Sequence, residues 1–497
     1  MTAFPSPWRR FYESPFAPIF LIAIFVVLIA TTITRFSIWI DESATLLLVG
    51  PHSYGEIVEY VKLDAHPPLW YLVLKPWLQV FGTNVLASRT ESAVFMLAAF
   101  SVWYHFVRTR FSRPLALVSL ALMVTNPMLL HYAIEGRMYA FTLLLVGVSC
   151  IVVTHRGPRR WYVYWPLAVA MLYTHYFLAF VLAAQFVYLL LRRRDHDRSI
   201  LWLVLYGASI VAPFLVWLPH AFHMTSDVVA KGFWIPPLQP SAITNYVLGT
   251  FLHRLDADLR GIRVFPTLLF VAAFAYALVR AVRAKGGPFA LLWCLLAVPW
   301  LCLFILSCKP FIPIFHPRYV IFGLPALLTL LAAGAFVLVG RWRTGVIAVL
   351  VLGQISGIQF LRYRGFNDTT GYWGMKLVQK EIGKPIDGEL PMVISASLFP
   401  FFDAKAVLPS TQRVVQLRDS QPPSTQFPES LYYDKPDWYV TKLDDIHVRH
   451  VWFIDDAIAP KKPVPDSWKQ EAMHVHGYAR ARLFTLPDPA AAARPPP

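Results

Sequence analysis

Charged residues are scarce in this sequence, which has 497 residues of which only 15% are Asp, Glu, Lys or Arg. About 25% is usual for soluble globular domains. Hydrophobic residues make up 57%, and the mean hydropathy is +0.50. Apolar runs of about 20 residues, each long enough to cross a bilayer, recur over roughly the first 360 positions. The composition excludes a soluble globular protein and predicts a polytopic α-helical membrane protein.

The sequence also has few cysteines, and they form no pattern. The four are Cys150, Cys294, Cys302 and Cys308, and their spacing matches neither a metal site nor a disulfide framework. The first three lie within apolar runs and the fourth at the end of one. We therefore expect them to be small buried hydrophobic side chains.

Acidic residues are nearly absent from six short loops that are rich in basic residues. These loops carry nearly all of the net charge of +16 and lie at residues 9–13, 108–113, 156–160, 192–198, 280–285 and 341–343. An excess of Lys and Arg in alternate loops is typical of the cytoplasmic side of a membrane protein. The loops are therefore predicted to be cytoplasmic. Because the positive charge acts as a topology signal, it argues against binding to nucleic acid.

Eleven membrane spans fit this alternation, with the N-terminus in the cytoplasm and the C-terminus outside. The first apolar run is longer than a signal-peptide core and lacks a clear cleavage site, so we expect a retained helix. The sequence thus predicts a multi-pass protein of the inner or plasma membrane. The predicted spans are 17–38, 89–107, 114–131, 137–154, 162–174, 176–191, 199–217, 264–281, 289–307, 318–339 and 344–361.

Residues 39–88 do not fit a further span. The stretch "YGEIVEYVKL" is amphipathic at helical spacing, and "HPPLWYLVLKPWLQVFG" is apolar and aromatic but is interrupted by Lys75 and Pro76. Counting the second stretch as a span would place the basic loop at 108–113 outside. We therefore predict two helices along the outer interface, where aromatic side chains lie at headgroup level.

The composition changes after about Leu361. Basic and acidic residues are nearly balanced from there on, and short strand-like runs appear, such as "PMVISAS", "HVWFID" and "YARARLFTL". The predicted domains are a transmembrane domain at 1–361, a small extracytoplasmic α/β domain at 362–485 and a disordered tail at 486–497. We expect the α/β domain to cap the outer cavity and shape the acceptor site, and to be dispensable for the chemistry.

The predicted topology gathers polar residues from distant loops at the outer ends of the spans. Charged residues in a membrane are costly and therefore usually have a function. A group of acidic and cationic residues at one membrane edge suits the binding of a substrate with a lipid tail and a charged head. They are Asp41, Glu42, Asp64, His66, Glu135, Arg137, Tyr139, His175, Lys309, His316, Arg318 and Tyr319.

Transfer of a sugar from a polyprenyl phosphate would use such residues. The phosphate leaves without protonation, so one carboxylate that deprotonates the acceptor hydroxyl is sufficient. Asp41 is the predicted base, and Glu42 and Glu135 are predicted to position the acceptor. Cations and hydrogen-bond donors must stabilise the charge on the leaving phosphate. The predicted phosphate-binding residues are His66, Arg137, Tyr139, Lys309, Arg318 and Tyr319.

Four motifs carry a resemblance to a known family: "WIDES", "DAHPPLWY", "NPMLLHYAIEGRMYAF" and "FHPRYVIFGLPAL". Together they resemble the GT-C membrane glycosyltransferases related to protein mannosyltransferases and aminoarabinose transferases (family 39-like), over roughly residues 17–340. The resemblance implies lipid-linked sugar donors, an inverting mechanism and a catalytic base at Asp41. It also implies an interfacial helix at the motif His66-Pro67-Pro68. Aminoarabinose transferases carry a phosphate-contacting Lys at the position of His66.

Other interpretations of these residues remain open. Glu135 with Arg137 is also consistent with a structural ion pair, and Arg318 with Tyr319 with an interfacial anchor. Asp64 and His66 supply two ligands, which do not make a metal site, so participation of a divalent cation is undecided. A transporter or flippase of lipid-linked sugars would show inverted repeats, and the sequence has no internal repeat. The sugar and the acceptor, whether lipid, glycan or protein, are not determined by the sequence.

Overall fold

A computed structural model describes most of the chain and shows a largely helical protein with one β-sheet near its C-terminal end. The described residues are 6–193, 198–223, 235, 238, 242–252, 264–283, 286–308, 313–366, 380–418, 435–457, 460–476 and 479–487. Lys309 and all but the first two residues of the predicted tail at 486–497 lie outside them.

Helices occupy every one of the eleven predicted spans. The helices are α1 (Ser6–Glu13), α2 (Ala17–Ala30), α3 (Ile40–Val49), α4 (Tyr54–Val61), α5 (Leu69–Phe81), α6 (Val85–Arg110), α7 (Arg113–Val124), α8 (Pro127–Ala133), α9 (Tyr139–Thr154), α10 (Arg160–Thr174), α11 (Leu178–Leu191), α12 (Ile200–Val211), α13 (Ala242–Leu252), α14 (Val264–Ala281), α15 (Gly287–Ser307), α16 (Leu324–Phe336), α17 (Arg341–Phe366) and α18 (Leu398–Val407).

Length and composition qualify three helices of the described chain as membrane spans. They are α6, α15 and the Arg341–Arg362 part of α17. The helices α7 and α8 qualify together but are bent by 67° at their junction. Further apolar helices are shorter, among them α2, α9 and α11. The protein is an integral membrane protein, and the number of eleven spans and their orientation stay predictions.

The first helix of membrane character is shorter than the predicted span 17–38, because α2 ends at Ala30. Threonine hydroxyls compete with the helix for backbone groups, and the Thr31 hydroxyl donates to the carbonyl oxygen of Val27 at 2.7 Å. Asp41 and Glu42 therefore do not end the first span. They lie in the first turn of a separate helix, α3, where the helix dipole favours negative charge.

The region 39–88 contains three helices, α3, α4 and α5, whereas the sequence predicted two. Helix α4 begins with a capping box, in which Ser53 and Glu56 each bond the backbone of the other. Lys75 of α5 is buried and donates to the carbonyl oxygens of Val49 and Gly50 at 2.9 and 2.8 Å. It thereby caps the C-terminal end of α3. With 13 residues, α5 is too short to span a bilayer.

The chain divides into two compact units, and neither is continuous in sequence. The first consists of Met1–Thr31, Ala65–Trp70 and Thr90–Leu361. Its helices pack in pairs, α11 with α15 and α14 with α16. A Cβ atom at Gly334 of α16 would lie 1.7 Å from the carbonyl oxygen of Ala277 in α14. Glycine is therefore required where these two helices meet.

The second unit consists of Thr32–Asp64, Tyr71–Arg89 and Arg362–Pro497, and it contains the predicted α/β domain. Its six-stranded sheet has the order β3-β2-β1-β4-β6-β5, with β1 to β4 parallel and β5 and β6 antiparallel to their neighbours. Val393 of β1 pairs with Val414 of β2 and with Trp452 of β4. The strands are β1 (Met392–Ser395), β2 (Val414–Leu417), β3 (Tyr439–Val440), β4 (His450–Asp456), β5 (Lys469–His476) and β6 (Ala479–Thr485).

Candidate functional site

The link between α8 and α9, in the first unit, holds Glu135 and Arg137. Helix α8 begins where it does because the Asn126 side chain accepts from the Leu129 N–H at 3.0 Å and Pro127 follows it. Glu135 is 6% exposed, and its Oε2 lies 3.3 Å from Nε2 of His131. Among the residues described, its Oε1 is buried without a hydrogen-bond partner. Glu135 thus offers one acceptor oxygen to a ligand.

Arg137 is fixed by contacts within the first unit and is 3% exposed. One of its terminal nitrogens lies 3.2 Å from Nδ1 of His66, and its guanidinium lies 5.6 Å from the ring centre of Trp70. The Ser92 hydroxyl donates to its carbonyl oxygen at 3.2 Å. The structure thus brings His66 and Arg137 together, 71 positions apart in sequence.

His175, in the link between α10 and α11, lies close to the rings of His66, Tyr139 and Tyr319. Its ring centre is 5.4 Å from that of His66, 6.0 Å from that of Tyr139 and 6.1 Å from that of Tyr319. The residue is 3% exposed, and this burial, with smaller effects of neighbouring cations, lowers its pKa well below the usual value. The ring is therefore neutral at neutral pH.

The tautomer of His175 follows from its backbone contact. Its Nδ1 accepts a hydrogen bond from the Phe177 N–H at 3.2 Å, so the single ring proton lies on Nε2. In the part of the chain that the structure describes, Nε2 is buried without a partner. Leaving a buried donor unpaired costs about 1–3 kcal/mol. A ligand acceptor atom at this position would remove that cost.

Arg318 and Tyr319 lie in a short 3-10 turn, Pro317–Tyr319. The turn is capped by His316, whose Nδ1 accepts from the Arg318 N–H at 3.3 Å. Burial, helped by the Arg318 charge, lowers the pKa of His316 to about 3, so its ring is neutral. The Arg318 charge contributes to the lowered pKa of His175, and the ring of the next residue, Tyr319, lies beside that of His175. The structure thus joins five predicted residues, namely His66, Arg137, Tyr139, Arg318 and Tyr319, into one cluster, which we call the cationic cluster.

Asp41 and Glu42 lie in the second unit and have different surroundings. Asp41 is half-buried, whereas Glu42 is 2% exposed. Both carboxylate oxygens of Glu42 accept from Arg89, at 2.8 and 2.6 Å. Arg89 also donates to the carbonyl oxygens of Ile33, Phe36 and Ser37 at 2.9–3.0 Å. Arg89 therefore ties the chain before α3 to the first turn of α3.

The predicted pair Asp64 and His66 shows no sign of a metal site. Asp64 is buried and accepts a hydrogen bond from the Tyr71 hydroxyl, while His66 contacts Arg137. Among the described residues, no group of three or more His, Cys, Asp or Glu side chains is arranged to hold a metal ion.

Sequence reasoning missed two buried charged residues, Arg89 and Glu91, and gave no role to a third residue, His175. Arg89 is a basic residue at the predicted outer end of a span, where the charge rule leads one to expect few, and this was an available signal. Glu91 is 2% exposed within α6, and a carboxylate inside a predicted span was itself a signal. His175 was recognised as an outer-face residue but received no role, because its tautomer depends on a fold-specific backbone contact.

Comparisons with known proteins agree with this architecture. The model of the family described as dolichyl-phosphate-mannose-protein mannosyltransferase matches residues 65–217, a range that includes His66, Glu135, Arg137, Tyr139 and His175. Among curated proteins, none matches the sequence significantly.

Solved structures similar to the chain include ArnT from Cupriavidus metallidurans. In the apo state it is 14% identical, covers 96% of this chain and 99% of its own, and gives a TM-score of 0.58. Bound to undecaprenyl phosphate it is 13% identical, with the same coverage and a TM-score of 0.54. The Archaeoglobus fulgidus oligosaccharyltransferase, tethered to an acceptor peptide, is 10% identical, covers 90% of this chain and 70% of its own, and gives a TM-score of 0.45.

At these identities the likeness to ArnT concerns the fold, and the family match adds a sequence signal in the segment that carries much of the cationic cluster. The chain therefore has the GT-C fold of membrane glycosyltransferases, and the resemblance that its motifs indicated is confirmed.

Proposed function

We propose that the protein transfers a sugar from a polyprenyl-phosphate donor to a hydroxyl group of a lipid, glycan or protein acceptor on the outer face of the membrane. The observation that carries the proposal is the gathering of Arg137, Arg318 and the buried N–H donor of His175 in the first unit of a GT-C fold. The ArnT structure bound to undecaprenyl phosphate supports a lipid phosphate as the ligand class.

The cationic cluster would bind the phosphate of the donor. Guanidinium groups match the geometry of phosphate oxygens and form charge-assisted hydrogen bonds. As the bond between the sugar and the phosphate breaks, its electron pair moves to the phosphate oxygen, which needs no proton. Fixed donors at that oxygen lower the barrier because the charge grows there in the transition state. Tyr139 and Tyr319 supply hydroxyl groups in the same cluster.

Asp41 would act as the general base. It takes the proton of the acceptor hydroxyl while the acceptor oxygen attacks the anomeric carbon from the side opposite the phosphate, which inverts that carbon. Glu42 is unsuited to this role because both of its oxygens are bound to Arg89. The Oε1 atom of Glu135 is suited to accept a hydrogen bond from a sugar or acceptor hydroxyl.

A deletion strain tests the reaction class. Without the enzyme, the lipid-linked sugar should accumulate, and mass spectrometry of extracted lipids would identify it. Purified enzyme in vesicles should release polyprenyl phosphate from that lipid only when membranes of the deletion strain are added as acceptor. Movement of intact lipid-linked sugar across acceptor-free vesicles, with no release of polyprenyl phosphate, would instead indicate a flippase.

His175→Phe is expected to weaken donor binding by about tenfold, because an unpaired polar group in the complex costs about 1–3 kcal/mol. His175→Gln should retain more affinity, since its amide N–H can occupy the place of Nε2–H. The measurement is the binding of a fluorescent polyprenyl phosphate to the purified protein.

His155 provides a matched control for His175. Its Nδ1 also accepts from a backbone N–H two residues further on, that of Gly157 at 2.9 Å, but the residue is exposed. His155→Phe should leave donor affinity unchanged. Equal affinities in His175→Phe, His155→Phe and the wild type would remove His175 from the donor site.

A further inference from the structure

Helix α18 of the C-terminal segment packs against α3 in the second unit. Two polar residues meet in this contact, Ser43 of α3 and Asp403 of α18, and the relative exposure of both is 0%. The Ser43 hydroxyl and Oδ1 of Asp403 are hydrogen-bonded. A carboxyl group from the C-terminal segment is thus buried beside the helix turn that holds Asp41.

The number of protons in this contact indicates the state of Asp403. The Ser43 oxygen also lies 3.1 Å from the carbonyl oxygen of Trp39, which can only accept. One hydroxyl has a single proton, so it cannot donate fully to Trp39 and to an ionised Asp403. Both bonds form when the Ser43 hydroxyl donates to Trp39 and a protonated Asp403 donates to Ser43.

The charges around Asp403 favour the same state. Burial raises its pKa well above the usual value, and the Glu42 carboxylate adds to this effect. Within the described residues, its Oδ2 is buried without a hydrogen-bond partner, which would be costly for an ionised carboxylate. Besides Asp403, the charged residues on α18 and on the described elements that pack against it, namely α3, β1, β2 and the 3-10 turn Pro436–Trp438, are Asp41, Glu42, Lys405 and Asp437. Lys405 points to the Val414 carbonyl oxygen and the Trp438 ring.

We propose that Asp403 is a positioning residue for Asp41. Asp403 acts as a neutral acid that donates a hydrogen bond to Ser43 and thereby fixes the first turn of α3, which carries Asp41. The inference rests on the proposed function, in which Asp41 is the base. Arg89 holds the same turn through Glu42. The turn that carries Asp41 is thus held at two points, and one of them belongs to the C-terminal segment. This inference replaces the expectation that the C-terminal domain is dispensable for the chemistry.

Three variants test the inference: Asp403→Ala, Asp403→Asn and, as a control, Asp444→Asn at an exposed position of the same domain. Asp403→Ala should lower donor-saturated turnover by about 10²-fold, the size expected for a misplaced reacting group. Its affinity for a fluorescent polyprenyl phosphate should stay within twofold of the wild type. Asp403→Asn should retain most of the turnover, because its amide N–H donates to Ser43. Asp444→Asn should match the wild type.

The pH profile separates positioning from a general structural effect. A carboxyl with a raised pKa supports the fold while it is neutral and loses that support as the pH rises through its pKa. Turnover of the wild type should therefore fall as the pH rises through the raised pKa of Asp403, and Asp403→Asn should keep its turnover to higher pH. Wild-type turnover in Asp403→Ala, equal damage in Asp403→Asn and Asp403→Ala, or identical alkaline limbs in the wild type and Asp403→Asn would overturn the inference.

Asp41→Asn, measured in parallel, distinguishes failure of this inference from failure of the proposed function. If Asp41→Asn is inactive while Asp403→Ala is fully active, only the positioning role is wrong. If Asp41→Asn has the wild-type turnover, the assignment of the base is wrong, and the positioning role fails with it.

Discussion

Asp41→Asn is expected to lower turnover by about 10²–10⁴-fold, the usual contribution of a general base. Asparagine keeps the shape of the side chain but cannot take the proton of the acceptor hydroxyl. Donor binding should be unchanged, because the residues proposed to hold the phosphate lie in the other compact unit. The assay is sugar transfer by purified enzyme at saturating donor, together with donor binding measured separately.

Glu42→Gln provides the contrast to Asp41→Asn. Glu42 forms a buried ion pair with Arg89, at 2.6 Å between Arg89 Nη2 and Glu42 Oε2, and loss of one partner of such a pair typically costs about 3–5 kcal/mol of stability. Glu42→Gln should therefore lower the thermal unfolding temperature, which Asp41→Asn should not. A fully active Asp41→Asn beside a stable but inactive Glu42→Gln would show that Glu42, rather than Asp41, is the base.

Arg318→Ala is expected to weaken donor binding by roughly 10–140-fold. This range corresponds to about 1.5–3 kcal/mol for a hydrogen bond to a charged group. Arg318→Lys should recover little of the loss, because an ammonium group lacks the planar fork that binds two phosphate oxygens. Binding of a fluorescent polyprenyl phosphate provides the measurement, and its salt dependence should also weaken in the Ala variant.

Arg341 is a suitable control for Arg318, since it is an exposed arginine at the start of α17. Arg341→Ala should bind the donor as the wild type does. If Arg318→Ala also keeps the wild-type affinity, the phosphate is held elsewhere, and the interpretation of Arg318 as an interfacial anchor becomes the better one.

Much of the helical architecture is predictable from the sequence, because apolar runs near the length of a bilayer leave few alternatives. Helices lie in all eleven predicted segments, and the strands β1, β4 and β6 coincide with the three strand-like runs. The predicted end of the first span at residue 38 was wrong, because hydropathy does not register that threonine hydroxyls compete for backbone hydrogen bonds. Helix α3 was not predicted because it is short and because its acidic first turn resembles a loop in composition.

Five of the six residues predicted to bind phosphate lie together in the cationic cluster, and the sixth, Lys309, lies outside the described residues. The geometry of the cluster was not predictable. The distribution of charge and the predicted topology gathered His66, Arg137 and Arg318 at one predicted membrane edge, since few other positions in a membrane protein tolerate charged residues. The pairing of Glu42 with Arg89 and of Ser43 with Asp403 was not predictable, because each depends on a tertiary contact across 47 or 360 positions. The position of a charged residue in the sequence does not reveal whether its side chain is already paired with another residue of the fold.

The separation of Ser43 and Asp403 by 360 positions also has a consequence for the newly made chain. At about 5–20 residues per second, α3 emerges from the ribosome roughly 20–70 s before the helix that covers it. During that time the apolar face of α3 has no partner from the C-terminal segment. We expect chaperones or proteases on the side of the membrane where α3 lies to recognise this intermediate, so that chains cut short before α18 are removed before they reach substrate.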